Sequence, residues 1–175
     1  EVLRWVGSRE FADAAALGQN DGVRALRQPG SALKPFVYGA YFEAGHPYGS
    51  IIDDAPTSFG TPSGRYTPLN FDQQFHGRVN IRTALGSSLN VPAVIAMADV
   101  GVPRVLGLLR DAGFSTLTAS PDHYGLGLAL GNGEVRLVDL AAAYATLGRL
   151  GRPLPVTWWA DTRREPGARV LSEET

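Results

Sequence analysis

Arg27-Gln-Pro-Gly-Ser-Ala-Leu-Lys-Pro-Phe36 is the stretch that decides the fold. The Gln-Pro-Gly within it is typical of a turn, and from Ser31 onward apolar residues recur at helical spacing. Pro35 fits a helix only in the first turn, because it has no N–H and its ring clashes with the turn before it. The helix is therefore predicted to begin close to Ser31, with Ser31 and Lys34 on one face.

Ser31-Ala-Leu-Lys34 has the spacing of a nucleophile and its base. A serine hydroxyl needs a base to take its proton, and a lysine can act as one when burial and a helix N-terminus lower its pKa. Lys34 is the only lysine among the 16 lysine and arginine residues, and arginine stays protonated in proteins. A helix-capping serine followed by an exposed lysine remains the alternative.

Ser88-Leu-Asn90 is a second candidate site, in a break between two predicted helices. A serine there can relay a proton, and an asparagine can accept from a lysine and donate to a substrate carbonyl. Serine and asparagine are also ordinary cap residues, so the motif has little weight alone.

Several helices and few strands predict an α+β fold. Residues 45–80 are rich in Gly, Pro, Ser, Asp and Asn, and are predicted to be a long loop with room for one short helix or strand. Asp53 and Asp54 in this loop are predicted to be solvated turn residues. The remaining predicted elements are strands at 1–7 and 156–159 and helices at 31–44, 80–87, 91–100, 103–112 and 137–150.

Composition excludes several classes of function. The 175 residues suffice for one core, and a net charge of −1 gives no electrostatic case for binding nucleic acid. The chain has no cysteine, which excludes thiol chemistry, and its three histidines lack metal-ligand spacing. No metal or cofactor is therefore predicted. No apolar run reaches the length of a membrane span, so the chain itself is expected to be soluble.

Three stretches resemble the transpeptidase domain of bifunctional, class A penicillin-binding proteins, with the 1C type nearest. They are Arg27–Phe36, Ala84-Leu-Gly-Ser-Ser-Leu-Asn-Val-Pro-Ala-Val94, and Tyr124-Gly-Leu-Gly-Leu-Ala-Leu-Gly131 followed by Leu140-Ala-Ala-Ala-Tyr144. Their order and spacing cover residues 1 to about 155. The resemblance implies the α+β fold shared by penicillin-binding transpeptidases and serine β-lactamases.

The resemblance also implies a function and a set of roles. Ser31 would attack the penultimate D-Ala of a peptidoglycan stem peptide, with Lys34 as general base, Ser88 as proton relay and Asn90 binding the peptide amide. β-Lactams would acylate the same serine. The whole protein would have an upstream glycosyltransferase domain and a membrane anchor, and would face the periplasm from the inner membrane.

The family's third motif, Lys-Thr-Gly, does not follow Lys34 in this sequence. Residues 1–175 are therefore interpreted as a partial transpeptidase domain that ends before the Lys-Thr-Gly strand and is a poor enzyme alone. Three alternatives remain: a serine β-lactamase, for which Glu134 is the only nearby acid; a β-lactam sensor or peptidoglycan-binding module without turnover; and a purely structural helical domain.

Overall fold

The computed structural model describes residues 2–61, 64–159, 162 and 164–175. The chain divides into two compact units. The first unit comprises Pro29–Leu108 and Ala119–Gly133, and the second comprises Glu1–Gln28, Leu109–Thr118 and Glu134–Thr175. All four candidate site residues, Ser31, Lys34, Ser88 and Asn90, belong to the first unit.

Short helices account for most of the regular structure. Two of them are 3-10 helices, Gly30–Leu33 and Gly125–Leu130. The α-helices are α1 (Lys34–Glu43), α2 (Ile81–Gly86), α3 (Asn90–Val100), α4 (Val102–Asp111), α5 (Pro121–Tyr124) and α6 (Leu137–Gly148). The predicted helices at 31–44, 80–87, 91–100, 103–112 and 137–150 are confirmed, with small shifts at their ends.

The helix ends follow local sequence signals. Pro35 lies in the first turn of α1, as its missing N–H requires. Asn80 caps α2 by accepting a 2.8 Å hydrogen bond from the Thr83 N–H. Gly101 ends α3 with a φ of +88°, a backbone conformation that favours glycine.

Two small antiparallel sheets occupy the region predicted to be one long loop. The strands are β1 (Ile51–Asp54), β2 (Phe59–Thr61), β3 (Gly64–Tyr66) and β4 (Gly77–Asn80). β1 pairs with β4 so that Ile52 lies opposite Val79, and β2 pairs with β3. The loop prediction was wrong because strands of three or four residues are too short to show an alternating pattern.

The core of the first unit lies around α1 and α3. α3 packs against α1, β1 and the second 3-10 helix. Burial extends over most of α1 rather than one face. The fully buried apolar residues of these elements and of the first 3-10 helix are Leu33, Phe36, Val37, Ala40, Val91, Ala93, Val94, Ala96, Met97, Leu128 and Ala129.

The second unit contains α6 and irregular segments. Arg27 and Val135 form an isolated antiparallel bridge. The predicted strands at 1–7 and 156–159 were wrong: residues 2–7 and 156–159 have no strand structure, and Glu1 lies outside the described residues. A strand needs a neighbour to accept its backbone hydrogen bonds, and no other strand pairs with these segments in the described part of the chain.

Helices combined with small antiparallel sheets confirm the α+β class. Among the described residues, no single helix has the length and apolar character of a membrane span, although the bent pair of α3 and α4 passes by length and composition.

Candidate active site

Ser31 lies in the 3-10 turn that leads into α1. Its side chain is exposed, and its backbone carbonyl accepts a hydrogen bond from the backbone N–H of Lys34. The turn therefore holds Ser31 at the surface while Lys34 begins the buried helix. In the described part of the chain, the hydrogen bonds of Lys34 Nζ run to Ser88 and Asn90 and not to Ser31.

The turn before Ser31 packs closely on the glycine-rich stretch. A Cβ at Gly131 would lie 2.4 Å from both the N and the O of Gly30, and Gly131 has a φ of +76°. Backbone atoms cannot move aside as a flexible side chain can. Only glycine therefore allows this approach at position 131, and the close contact fixes the backbone one residue before Ser31.

Lys34 is completely buried, with 0% of its surface exposed. Its Nζ donates to the backbone carbonyl of Ser88 at 2.5 Å, to Asn90 Oδ1 at 2.8 Å and to Ser88 Oγ at 3.2 Å. Burial lowers the pKa of Lys34 from 10.5 to about 8, because removal from water disfavours the ammonium form. At pH 7 roughly a tenth of the lysine is therefore neutral.

Ser88 lies in the break between α2 and α3 and is exposed. Its φ is +53°, a left-handed conformation that costs a residue with a side chain about 1–2 kcal/mol. In this conformation both the carbonyl and the hydroxyl of Ser88 face Lys34 Nζ. A strained backbone that aims two groups at one amine is typical of a functional position.

Asn90 is the first residue of α3 and is fixed by three contacts. Its Oδ1 accepts from Lys34, its Nδ2 donates to the carbonyl of Leu69 at 2.9 Å, and its backbone N–H donates to Asn70 Oδ1 at 2.8 Å. The Leu69 carbonyl uses one of the two amide hydrogens, which leaves the other for a substrate carbonyl.

The arrangement can move a proton. A protonated Lys34 has three N–H donors, which match its three acceptors. A neutral Lys34 has two donors and one lone pair, so the Ser88 carbonyl and Asn90 Oδ1 keep the donors. The Ser88 hydroxyl, at the longest distance, then becomes the donor to the lone pair. Ser88 Oγ can therefore give a proton to Lys34 or take one from it without a change in geometry.

Sequence reasoning missed the residues behind this site. Asp54, predicted to be solvated, is 0% exposed, and its carboxylate accepts from Asn70 and His76. The prediction for Asp54 was wrong, because alternation along β1 turns Asp54 inward while Asp53 stays exposed. No local pattern distinguishes Asn70, since Asp54, Asn90 and Val91, its partners at the site, are 16 to 21 residues away.

Among residues 2–61, 64–159, 162 and 164–175, no three histidine or carboxylate side chains form a group that could hold a metal ion. His76 contacts two carboxylates, with Nδ1 2.7 Å from Asp54 Oδ2 and Nε2 3.2 Å from Asp72 Oδ2. The hydrogen bond to Asp54 is the main reason that the pKa of His76 is raised.

Comparison with known proteins defines the class. The family described as the penicillin binding protein transpeptidase domain matches residues 1–166, and the chain belongs to that family. Penicillin-binding protein 1C of Escherichia coli strain K12 is 39% identical over 153 residues, which are 86% of this chain and 19% of the relative. The family and the resemblance to the 1C type, both inferred from sequence, are confirmed.

Solved structures of class A proteins share the fold. Penicillin-binding protein 1A of Haemophilus influenzae is 28% identical with a TM-score of 0.71, over 81% of this chain and 21% of that one. Penicillin-binding protein PonA1 of Mycobacterium tuberculosis is 26% identical with a TM-score of 0.73, over 87% of this chain and 45% of that one. The chain spans only 16% to 20% of the length of the curated relatives it matches.

Proposed function

We propose that the chain carries the acyl-transfer centre of a peptidoglycan D,D-transpeptidase, with Ser31 as the nucleophile. The observation that supports this most is Lys34, a fully buried amine held by Ser88 and Asn90 and three residues beyond an exposed serine. Burial brings its pKa to about 8. A general base is most effective when its pKa lies near the pH at which the enzyme works.

Acylation begins when Ser31 Oγ attacks the carbonyl carbon of the penultimate D-Ala in a stem peptide. The lone pair of neutral Lys34 turns from Ser88 Oγ to Ser31 Oγ and takes the hydroxyl proton as the new C–O bond forms. The C–N bond to the terminal D-Ala then breaks, and the leaving amine takes a proton from Ser88 Oγ, which is resupplied from Lys34. The products are an ester on Ser31 and free D-Ala.

Transfer follows the same path in reverse. The amine of a neighbouring stem peptide attacks the ester carbonyl and loses a proton to Ser88 and Lys34. The ester C–O bond breaks, Ser31 Oγ takes that proton back from Lys34, and a new amide bond joins the two peptides. Asn90 holds the donor peptide through its second amide N–H. A β-lactam acylates Ser31 by opening its ring amide.

The whole protein is proposed to act on peptidoglycan stem peptides and to be a covalent target of β-lactams. By analogy with class A relatives, we further propose an upstream glycosyltransferase domain and a membrane anchor, with the catalytic centre on the periplasmic face of the inner membrane.

Intact-mass spectrometry of the full-length protein after benzylpenicillin treatment tests the nucleophile. The expected result is one added penicillin on the wild type and none on Ser31→Ala. Ser87→Ala is the matched control, because Ser87 is also an exposed serine and has no role in the proposed reaction. An adduct that survives Ser31→Ala would show that Ser31 is not the nucleophile.

Turnover assays separate the alternatives that share the first step. A transpeptidase forms a stable acyl-enzyme with nitrocefin, and joins a stem-peptide donor to an acceptor amine. Rapid hydrolysis of nitrocefin would instead indicate a serine β-lactamase. A stable penicillin adduct with no processing of the stem peptide would indicate a sensor.

A further inference from the structure

A buried carboxylate lies behind the candidate active site. Asp54, at the end of β1, is 0% exposed and accepts hydrogen bonds from Asn70 Nδ2 at 2.8 Å to each carboxylate oxygen. It also accepts from the backbone N–H of His76 at 2.9 Å and is 2.7 Å from His76 Nδ1. A buried charge is tolerated when it is hydrogen-bonded in this way, and the result is a rigid anchor for its partners.

Asn70 connects this anchor to the start of α3. It is 3% exposed, and its Nδ2 donates to Asp54 and to the carbonyl of Gln74 at 2.8 Å. Its Oδ1 accepts from the backbone N–H groups of Asn90 at 2.8 Å and Val91 at 3.1 Å. The amide has only one possible orientation, because a flip would set N–H donors against N–H donors and oxygen against carboxylate.

α3 depends on Asn70 because its own sequence provides no cap. Its N-cap residue is Leu89, which has no side-chain acceptor, and Pro92 has no backbone N–H. The first N–H groups of a helix need acceptors from outside the helix. Asn70 Oδ1 accepts from the backbone N–H groups of Asn90 and Val91, which are 20 and 21 residues away in the sequence.

We propose that Asn70 is a positioning residue for acyl transfer, which fixes Asn90 and, through Asn90, the amine of Lys34. This inference rests on the function proposed above. Asn90 begins the helix that Asn70 holds, and Asn90 Oδ1 is one of three acceptors that set the direction of Lys34 Nζ. Leu69, the neighbour of Asn70, accepts from Asn90 Nδ2, so one segment fixes both the backbone and the side chain of Asn90.

Stopped-flow acylation of the full-length protein by a chromogenic β-lactam tests this role. Asn70→Ala is compared with Asn80→Ala, which removes the equivalent cap from α2. A loss of stability alone reduces the fraction of protein that becomes acylated. A loss of positioning lowers the saturating first-order rate constant of the molecules that do react.

The expected result is a rate constant at least tenfold lower for Asn70→Ala, with the noncovalent binding constant within about twofold of wild type. Asn80→Ala should keep the wild-type rate constant. Equal rate constants in the wild type and both variants would overturn the positioning role while leaving the proposed function intact. A wild type that is not acylated, or a serine other than Ser31 as the acylated residue, would overturn both.

If Asn70→Ala does not fold, exchanging the side chains of Asn70 and Asp54 provides a second test. Asn70→Asp sets two carboxylates against each other, and the rate constant is expected to fall at least tenfold. Adding Asp54→Asn restores one acid opposite one amide and leaves the Gln74 carbonyl without its donor, so the rate constant should rise at least threefold above that of Asn70→Asp. A double variant that folds but stays as slow as Asn70→Asp would overturn the proposal.

Discussion

Lys34 Nζ donates to Asn90 Oδ1 across 2.8 Å, and each of these residues is the first of its helix, α1 and α3. Two helix N-termini therefore converge on one amine. Burial lowers the pKa of Lys34 to about 8, and the partial positive charge of helix N-termini acts in the same direction. The arrangement makes a neutral lysine accessible near physiological pH, as a general base requires.

The pH dependence of acylation follows from this pKa. In the proposed mechanism the neutral form of Lys34 is the active base, so the acylation rate constant should rise about tenfold per unit up to pH 7 and level off above about pH 8. Stopped-flow β-lactam acylation from pH 5 to 10 measures it. Lys34→Arg keeps the positive charge and should react about 10²- to 10⁴-fold more slowly.

The reverse exchange at an exposed position is the control for Lys34→Arg. Arg78 on β4 lies at the surface, 3.9 Å from Asp53, and Arg78→Lys should keep both the rate and its pH profile. A wild-type rate that does not change between pH 6 and 9 would contradict the role of Lys34 as base.

Ser88 combines a strained backbone with the hydroxyl that is proposed to relay protons, and two substitutions separate the effects of the two features. Ser88→Ala removes the hydroxyl and keeps the strain, whereas Ser88→Gly removes both. Both variants should acylate about 10²- to 10⁴-fold more slowly, and the glycine variant should be about 1 kcal/mol more stable than the alanine variant. Acylation kinetics and urea unfolding measure the two effects.

Ser87→Ala is the control for both variants, because Ser87 is the adjacent exposed serine at a φ of −91°. A Ser88→Gly variant that acylates within threefold of wild type would show that the hydroxyl is not a relay.

Gly131 should not tolerate a side chain. Gly131→Ala sets a methyl group against the Gly30 backbone, which must move the turn before Ser31. We expect acylation at least tenfold slower, and a loss of stability larger than the roughly 1–2 kcal/mol of a positive φ alone. Gly45→Ala is the matched control, because its φ is +96° and its Cβ would meet no atom within 4 Å. Equal effects of the two substitutions on both measurements would contradict the steric role of Gly131.

Tyr38, one turn after Lys34 on α1, is 1% exposed, and its hydroxyl has no hydrogen-bond partner among the described residues. Burial, followed by the nearby Asp54 charge, raises the pKa of Tyr38. An unsatisfied buried hydroxyl costs about 1–3 kcal/mol, so Tyr38→Phe should leave the free energy of unfolding unchanged or increase it. Chemical denaturation measures this, and a loss above about 1 kcal/mol would indicate a partner for the hydroxyl.

Local sequence was enough to predict the helices that carry the site. Pro35 and the apolar spacing after Ser31 located α1, because both act within one or two turns. Asn80 and Gly101 mark helix ends for the same reason. The strands were predicted poorly: those of residues 51–80 are short, and residues 2–7 and 156–159 have no partner strand in the described part of the chain.

The candidate site was predictable as a set of residues and not as an arrangement. The sequence by itself determined that Ser31 and Lys34 share one turn and that Ser88 and Asn90 flank a helix start, since those relations need only the geometry of a helix. Tertiary structure alone decided that Lys34 is buried, that Ser88 has a positive φ and that Asp54 lies inside. It also decided that Asn70 caps α3. These features depend on contacts between segments 16 to 56 residues apart. Such contacts form only when the chain folds, so no pattern among neighbouring residues predicts them.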